Sequence, residues 1–405
     1  MVARASGLQS PFRRYWVAGF LSDFGDGLCL VAFPLLAVGL SHSAAAVAAV
    51  TVAEQFPGLL LGAGLGVIVD RSDSRRLMVI VDIARAVIIA SLAAAIVTHH
   101  ADLALVYAVA FTTGTCSALR VTAEVTCVPC LVEPGNLEQA NARIVGGQVV
   151  GGELAGPAAG GWLFGLAAAF PFAVDSGALG IGILLMLTLP SVFRPANPAP
   201  ARWPQATRLV SLGHDVREGM RWLWRHSEMR DVTIAVTIVS LTDAAWFAVL
   251  ALYVIQVLHQ KAGAYGLLLA VGALGGVAVG AIGPRLTRRL TPWSSLLIAG
   301  LVMAATQAGL GLSANVIIAA VMLFLSSSAF ALFNITAVTM RQRQVPPALL
   351  GRVTSLYVSV NYGAQVFGAS AGGILATSAG IRAPMLVGAL PLAAAMTFLA
   401  SRHRK

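Results

Sequence analysis

Apolar residues gather into long runs divided by short polar breaks, at about 15–40, 44–69, 77–97, 103–120, 143–165, 168–190, 231–257, 263–284, 292–312, 315–340, 354–378 and 383–400. A bilayer core takes about 20 apolar residues of helix, so the pattern predicts an all-α membrane protein with twelve transmembrane helices. The first run follows Arg13 and Arg14 as a signal peptide would. It is too long for one and holds Asp23 and Asp26 with no small-residue cleavage site after it, so it reads as a retained helix. The longest polar stretch, 191–230, carries Pro195, Pro198, Pro200 and Pro204, then an amphipathic run from Val216 to Arg225. Proline interrupts a helix, and Trp with Arg suits the membrane interface. The chain therefore reads as an N-terminal six-helix bundle (1–190), a cytoplasmic linker with an interfacial helix (191–230) and a C-terminal six-helix bundle (231–405).

Composition agrees with lipid as the solvent: 58% of residues are hydrophobic, 11% are charged, and the mean hydropathy is +0.82. A soluble two-domain enzyme and a single-anchor receptor are both excluded. The net charge is +10, a balance that often signals nucleic acid. Here its placement decides otherwise. With both termini inside, all of the 27 basic residues except Arg85, Lys261 and Arg382 fall in cytoplasmic segments, the side on which Lys and Arg are retained. The cations are topological determinants beside anionic lipid, and no nucleic-acid partner is needed. The expectation is a monomeric multi-pass protein of the cell inner membrane.

The two halves repeat. Arg75-Arg76-Leu77 recurs as Arg288-Arg289-Leu290 at an offset of 213; Gly151, Gly156, Gly160 and Gly161 recur at Gly363, Gly368, Gly372 and Gly373, and Pro134 at Pro346, at 212. This is a parallel 6+6 duplication, the arrangement of transporter halves related by an axis along the membrane normal.

Several stretches carry a family resemblance. Gly62 and Gly66 lead to Asp70-Arg71 and then Arg75-Arg76, with Asp82 and Arg85 in the helix that follows. This resembles the loop motif of the major facilitator superfamily, departing from it at Asp73 and Ser74, where Gly and Arg are usual. The resemblance implies a cytoplasmic latch between halves. Gly152, Gly156, Pro157, Gly160 and Gly161 match the fifth-helix signature of the exporters, or antiporters, of that superfamily. Small residues at that spacing allow close helix crossing, and the proline bends the helix. Phe12 to Trp16, Gly25-Asp26-Gly27, Val216 to His226 and Val345 to Val353 resemble the branch holding enterobactin exporters and macrolide-efflux proteins. The resemblance spans residues 12–400 and implies a proton-driven exporter of a hydrophobic or amphipathic small molecule.

A carboxylate at the bilayer centre costs about 2.5–3.5 kcal/mol on insertion scales, so each needs a partner, water or a proton. Asp26, Asp243, Glu54, Asp23 and Glu153 fall near mid-helix and are the proton-coupling candidates, in that order for the first four. A shift of 217 superposes Asp26 on Asp243. In the superfamily the first, fourth, seventh and tenth helices line the central cavity, so these would be twin acids there. No Lys or Arg is expected at that depth, Arg85 being assigned to the cytoplasmic part of its helix. Hydrogen bonds to Thr112, Thr113 and Thr115 are the structural alternative for any one acid. Many proton-coupled exporters of the superfamily carry an Arg in the fourth helix, and 103–119 has none, so coupling through that residue is absent or moved to Arg85 and Arg120.

Candidate cavity residues are Phe111, Thr112, Thr115 and Trp246, with Phe330, Asn334, Asn361, Tyr362 and Gln365 from the last helices, since such pockets combine apolar walls with few polar groups. Cys127 and Cys130 have thiol-pair spacing but stand alone, and His99-His100 with Asp102 reads as a solvated loop. No metal, cofactor, phosphate-binding loop or nucleophile arrangement is indicated. The rival readings are an importer or uncoupled facilitator on the same fold, and a transport-inactive membrane scaffold or sensor.

Overall fold

A computed structural model of the chain describes residues 10–41, 43–71, 73–132, 136–189, 220–287 and 290–403. Those residues are helical, with no strand among them. Besides a short helical segment at 220–225, the helices among the described residues are α1 (Ser10–Leu40), α2 (Ala44–Arg71), α3 (Ser74–Val97), α4 (Leu103–Leu131), α5 (137–166), α6 (Phe170–Leu187), α7 (Ser227–Val257), α8 (Ala262–Thr287), α9 (Pro292–Leu312), α10 (Val316–Gln344), α11 (Pro347–Ala379) and α12 (Ala383–Arg402). Eight meet the length and hydropathy needed to cross a membrane among the described residues, and the shorter apolar stretches Ala44–Leu60 and Ala383–Leu399 lie in α2 and α12.

Polar caps set the helix starts. Asp73 accepts from the Arg76 amide at 3.1 Å, Asp102 from Leu105 at 2.8 Å and Asn315 from Ile317 at 2.8 Å, satisfying amides that have no intrahelical partner. His99 closes α3 in the left-handed region (φ 58°), with the His100 amide reaching back to Ala95 O at 2.8 Å; the pair is accounted for as a helix end. The linker 191–219 lies outside the described residues. Residues 220–225 are helical, with Leu223 buried and Met220 and Trp222 packed on the core led by Met303, Phe333 and Leu392.

Two helices depart from regular α geometry. In α5, residues Val149–Ala155 form a π turn, and the Gly156 amide bonds Gly151 O, five residues back. Pro157 has no N–H to offer Glu153 O, so the wider turn takes up the mismatch. In α7 a break at Ala248–Val249 precedes a second π turn, Tyr253–Val257.

The chain forms two compact units: Met1–Leu36 with Ala63–Ala201 and Ala262–Ala270, and Ala37–Gly62 with Arg202–Lys261 and Val271–Lys405. The repeat reappears in them as matched contacts. In the first unit a Cβ added at Gly156 would meet Phe24 O at 2.7 Å, and one at Gly160 would meet Leu28 O at 2.9 Å. In the second, Cβ atoms at Gly368 and Gly372 would overlap Leu241 O and Ala245 O. The glycines differ by 212 and their carbonyl partners by 217. That second offset is the one relating Asp26 to Asp243. Gly161 seats the backbone of Ala262 and Gly266 in the first unit, while Gly373 seats Ala44, Ala45 and Ala48 in the second, a partner offset of 218. The glycine backbone packs directly on the neighbouring helix at each site, against backbone except for the Ala48 methyl at Gly373, a closeness that favours glycine.

Candidate functional site

The polar interior of the first unit is built on α1, α3, α4 and α6. Arg85, near the middle of α3, is 1% exposed. Its Nη2 is ion-paired with Asp26 on α1, and its Nη1 donates to Ser22 Oγ at 3.2 Å. The Asp26 side chain remains 42% exposed, so the pair joins a sealed cation to an accessible carboxylate. This corrects the expectation that no basic residue shares the depth of Asp26. Spacing alone could not tell whether Arg85 turns toward the loop or toward α1.

A second pair lies beside it. Arg120 Nη1 donates to both Asp82 oxygens, at 3.1 and 3.0 Å, and both residues are buried. The sequence reading ended the fourth span at Arg120 and found 103–119 without a cation. Helix α4 instead runs on to Leu131, so Arg120 is a buried residue of the fourth helix. Its charge mimicked a helix end, but Asp82 satisfies it inside the bundle.

Sequence reasoning passed over Asp175, on α6. It is 0% exposed; Cys29 Sγ donates to its Oδ2 at 3.2 Å, and Oδ1 has no hydrogen-bond partner. Gly25 on α1 makes the room: an added Cβ would collide with the Asp175 carboxyl. A lone acid in an otherwise apolar helix was the available signal. Glu124 on α4 was also passed over. Together with Asp23, Tyr15, Trp16 and Gly147 it lines a narrow cleft.

The other candidate acids are spread out. Asp23 is half-buried on that cleft; Glu153 is exposed in the π turn of α5. Glu54 lies half-buried on α2 in the second unit. Asp243, in the same unit, accepts from Trp246 Nε1 at 3.1 Å. Trp246 is thereby a buried partner of an acid rather than open lining. The three α4 threonines Thr112, Thr113 and Thr115 each donate to a backbone carbonyl four residues back, at 2.7–2.9 Å, rather than to an acid.

Among the cavity candidates, Phe111, Phe330 and Asn334 are exposed. Gln365 donates to Asn361 at 2.6 Å one turn away, and the Tyr362 ring covers Gly58 on α2. In the loop motif, Arg75 donates to Met186 O and Leu187 O at 2.9 and 2.7 Å. A cation on those last carbonyls suits the negative end of α6. The surroundings of Gly62, Gly66, Asp70 and Arg71 lie outside the described residues. Cys127 is buried against Met78, and among the described residues no three His, Cys, Asp or Glu side chains group as metal ligands.

A duplicated bundle of apolar helices with ion pairs held inside it defines a polytopic membrane transporter. A family model described as transmembrane secretion effector matches residues 5–404. The chain belongs to that family, within the major facilitator superfamily of transporters, and is not an enzyme. It is 26% identical over 372 residues to the enterobactin exporter EntS of Citrobacter koseri, covering 89% of this chain and 83% of that one. EntS of Escherichia coli O1:K1 / APEC is 27% identical over the same shares. Among solved structures, the nucleoside transporter NupG aligns with a TM-score of 0.74 at 14% identity, over 98% of this chain and 100% of that one. A bacterial homologue of the iron transporter ferroportin aligns at 0.73 and 17%, over 98% and 100%. These last two establish the fold alone.

Proposed function

We propose that this secondary transporter exports a hydrophobic or amphipathic small organic compound across the cell inner membrane in exchange for protons, with both termini cytoplasmic. The observation that carries the coupling is the Arg85–Asp26 pair. A buried guanidinium has to keep a counterion, so protonating the accessible Asp26 releases a charge that the bundle has to accommodate by rearranging. Such a two-state element is what alternating access requires. Export is supported by the fifth-helix signature around Pro157 and by relatives that are enterobactin exporters. Orientation rests on the distribution of Arg and Lys. The six-helix divisions at 1–190 and 231–405 are the units we expect to move.

Everted vesicles with an imposed proton gradient test the reading, with enterobactin as the first probe because of those relatives. Addition of a substrate collapses part of the gradient, and Asp26→Asn abolishes the collapse. Transport that proceeds at the wild-type rate without a gradient identifies a facilitator and refutes antiport. Unchanged collapse in Asp26→Asn removes that residue from the mechanism.

A further inference from the structure

We propose that Asp26 and Asp175 share one proton and one countercation, Arg85, and exchange them in opposite directions, which makes Asp175 the enclosed proton-holding residue of the first unit. This deepens the antiport reading above and rests on it.

The argument is a count of charges around an enclosed carboxyl. The titratable and charged groups facing Asp175 are Arg85 and Asp82 on α3 and Asp26 and Cys29 on α1. Asp82 is already held by Arg120 at 3.0 Å. Two carboxyls, Asp26 and Asp175, therefore remain for one guanidinium. Arg85 spends its Nη atoms on Asp26 and Ser22, and its buried Nε has no hydrogen-bond partner. The Asp175 Oδ1 is likewise buried without a hydrogen-bond partner. Two unmatched polar atoms, one on the cation and one on the second acid, are what a cation able to serve either acid leaves behind.

Ionising both acids would leave one carboxylate unpaired in a medium that penalises it. The pair therefore carries one proton. With Arg85 on Asp26, that proton is on Asp175. In the exchange the O–H bond at Asp175 breaks and one forms at Asp26, while the guanidinium keeps all its protons and turns to the new carboxylate. Net charge is unchanged throughout. From Asp26, whose side chain is 42% exposed, the proton passes to water, and Asp175 is reloaded when motion of the bundle uncovers it.

Among the described residues the second unit carries no acid at the place matching Asp175. Pro171 and Pro384, each second in its helix, align α6 with α12 at an offset of 213 and place Gly388 where Asp175 would be. A Cβ at Gly388 would meet Gln307 Oε1 at 3.3 Å and Thr242 Cβ at 3.6 Å. Those neighbours are neutral, on α9 and α7.

The test reads protonation without transport. The purified full chain is treated at about pH 7 with a hydrophobic carbodiimide, which adds to a buried carboxylic acid but not to a carboxylate, and peptides are weighed by mass spectrometry. Asp175 is labelled in the wild type. Asp26→Asn leaves Arg85 to Asp175, so labelling there falls about tenfold or more, the effect of one unit of protonation equilibrium. No label on Asp175 in the wild type, or an undiminished label in Asp26→Asn, overturns the proposal. Should Asp26→Asn not yield monodisperse protein, Asp26→Ser, which also removes the competing carboxylate, decides by the same fall in label at Asp175, and an undiminished label there overturns the proposal. A vesicle assay that shows coupling without this labelling sinks the shared proton alone; labelling as described without coupling sinks the antiport reading.

Discussion

Replacing Gly160 by alanine tests whether backbone-on-backbone crossing holds the repeat together. The added Cβ would sit 2.9 Å from Leu28 O and 3.0 Å from Leu28 Cα, against ordinary contacts of about 3.4–4 Å between such atoms. Neither neighbour is a side chain that could swing away, so α1 and α5 must part by roughly half an ångström along the seam. Overpacking of this kind costs about 1–3 kcal/mol. Alanine also gains about 0.5–1 kcal/mol over glycine in a helix, which partly offsets the loss. Gly177→Ala on α6 supplies the control, because its Cβ would meet nothing within 4 Å and the propensity gain is common to both variants. The contrast between the two therefore isolates the packing cost, about 1–3 kcal/mol. Gly372→Ala, whose Cβ would overlap Ala245 O, falls on the same side of the control. Unfolding of the detergent-solubilised protein, followed by denaturant titration, provides the measurement. Equal stabilities for Gly160→Ala and Gly177→Ala would refute the reasoning.

Removing either member of the buried Asp82–Arg120 pair strands the other. Asp82→Asn and Arg120→Met each lose about 3–5 kcal/mol by the same titration, and the double variant loses less than their sum; additive losses would show the pair uncoupled. Tyr253→Phe strips a hydroxyl that serves Leu310 O at 2.9 Å and Ser313 O at 3.0 Å at the end of α9, costing about 1–2 kcal/mol, and no change in unfolding would mean water replaces it. Asp243→Asn preserves the substrate-dependent collapse of a proton gradient that Asp26→Asn abolishes, since the described residues give Asp243 the Trp246 indole and no cation. Loss of collapse in Asp243→Asn would return that acid to the coupling mechanism.

The helices and their duplication were legible because each rests on a linear regularity. An apolar run of spanning length needs only neighbours along the chain, and a glycine repeat at 212 reports a crossing whatever surrounds it. The offset of 217 for Asp26 and Asp243 was equally legible, and the matched carbonyls of Phe24 and Leu241 give its physical reason: both acids ride on the helix that the glycine face holds. Partnership was not legible. Arg85 and Arg120 read as loop-side cations because charge near a helix end is the commonest topological signal, and nothing in the order of residues says that one bends to Asp26 and the other to Asp82. Asp175 was hidden differently, since its pocket is an absence, the missing side chain of Gly25 on another helix. The same exchange runs in reverse across the repeat, where Gly388 yields space to Thr242 and Gln307. A symmetric frame thus carries an asymmetric position on α6 and α12: an acid at Asp175 in one unit, and Gly388 against the neutral Thr242 and Gln307 in the other. The backbone contacts at the matched glycines recur in both units, whereas a single exchange at one facing position, Asp175 in the first and Gly388 in the second, is enough to give the two units different chemistry at the same place in the repeat.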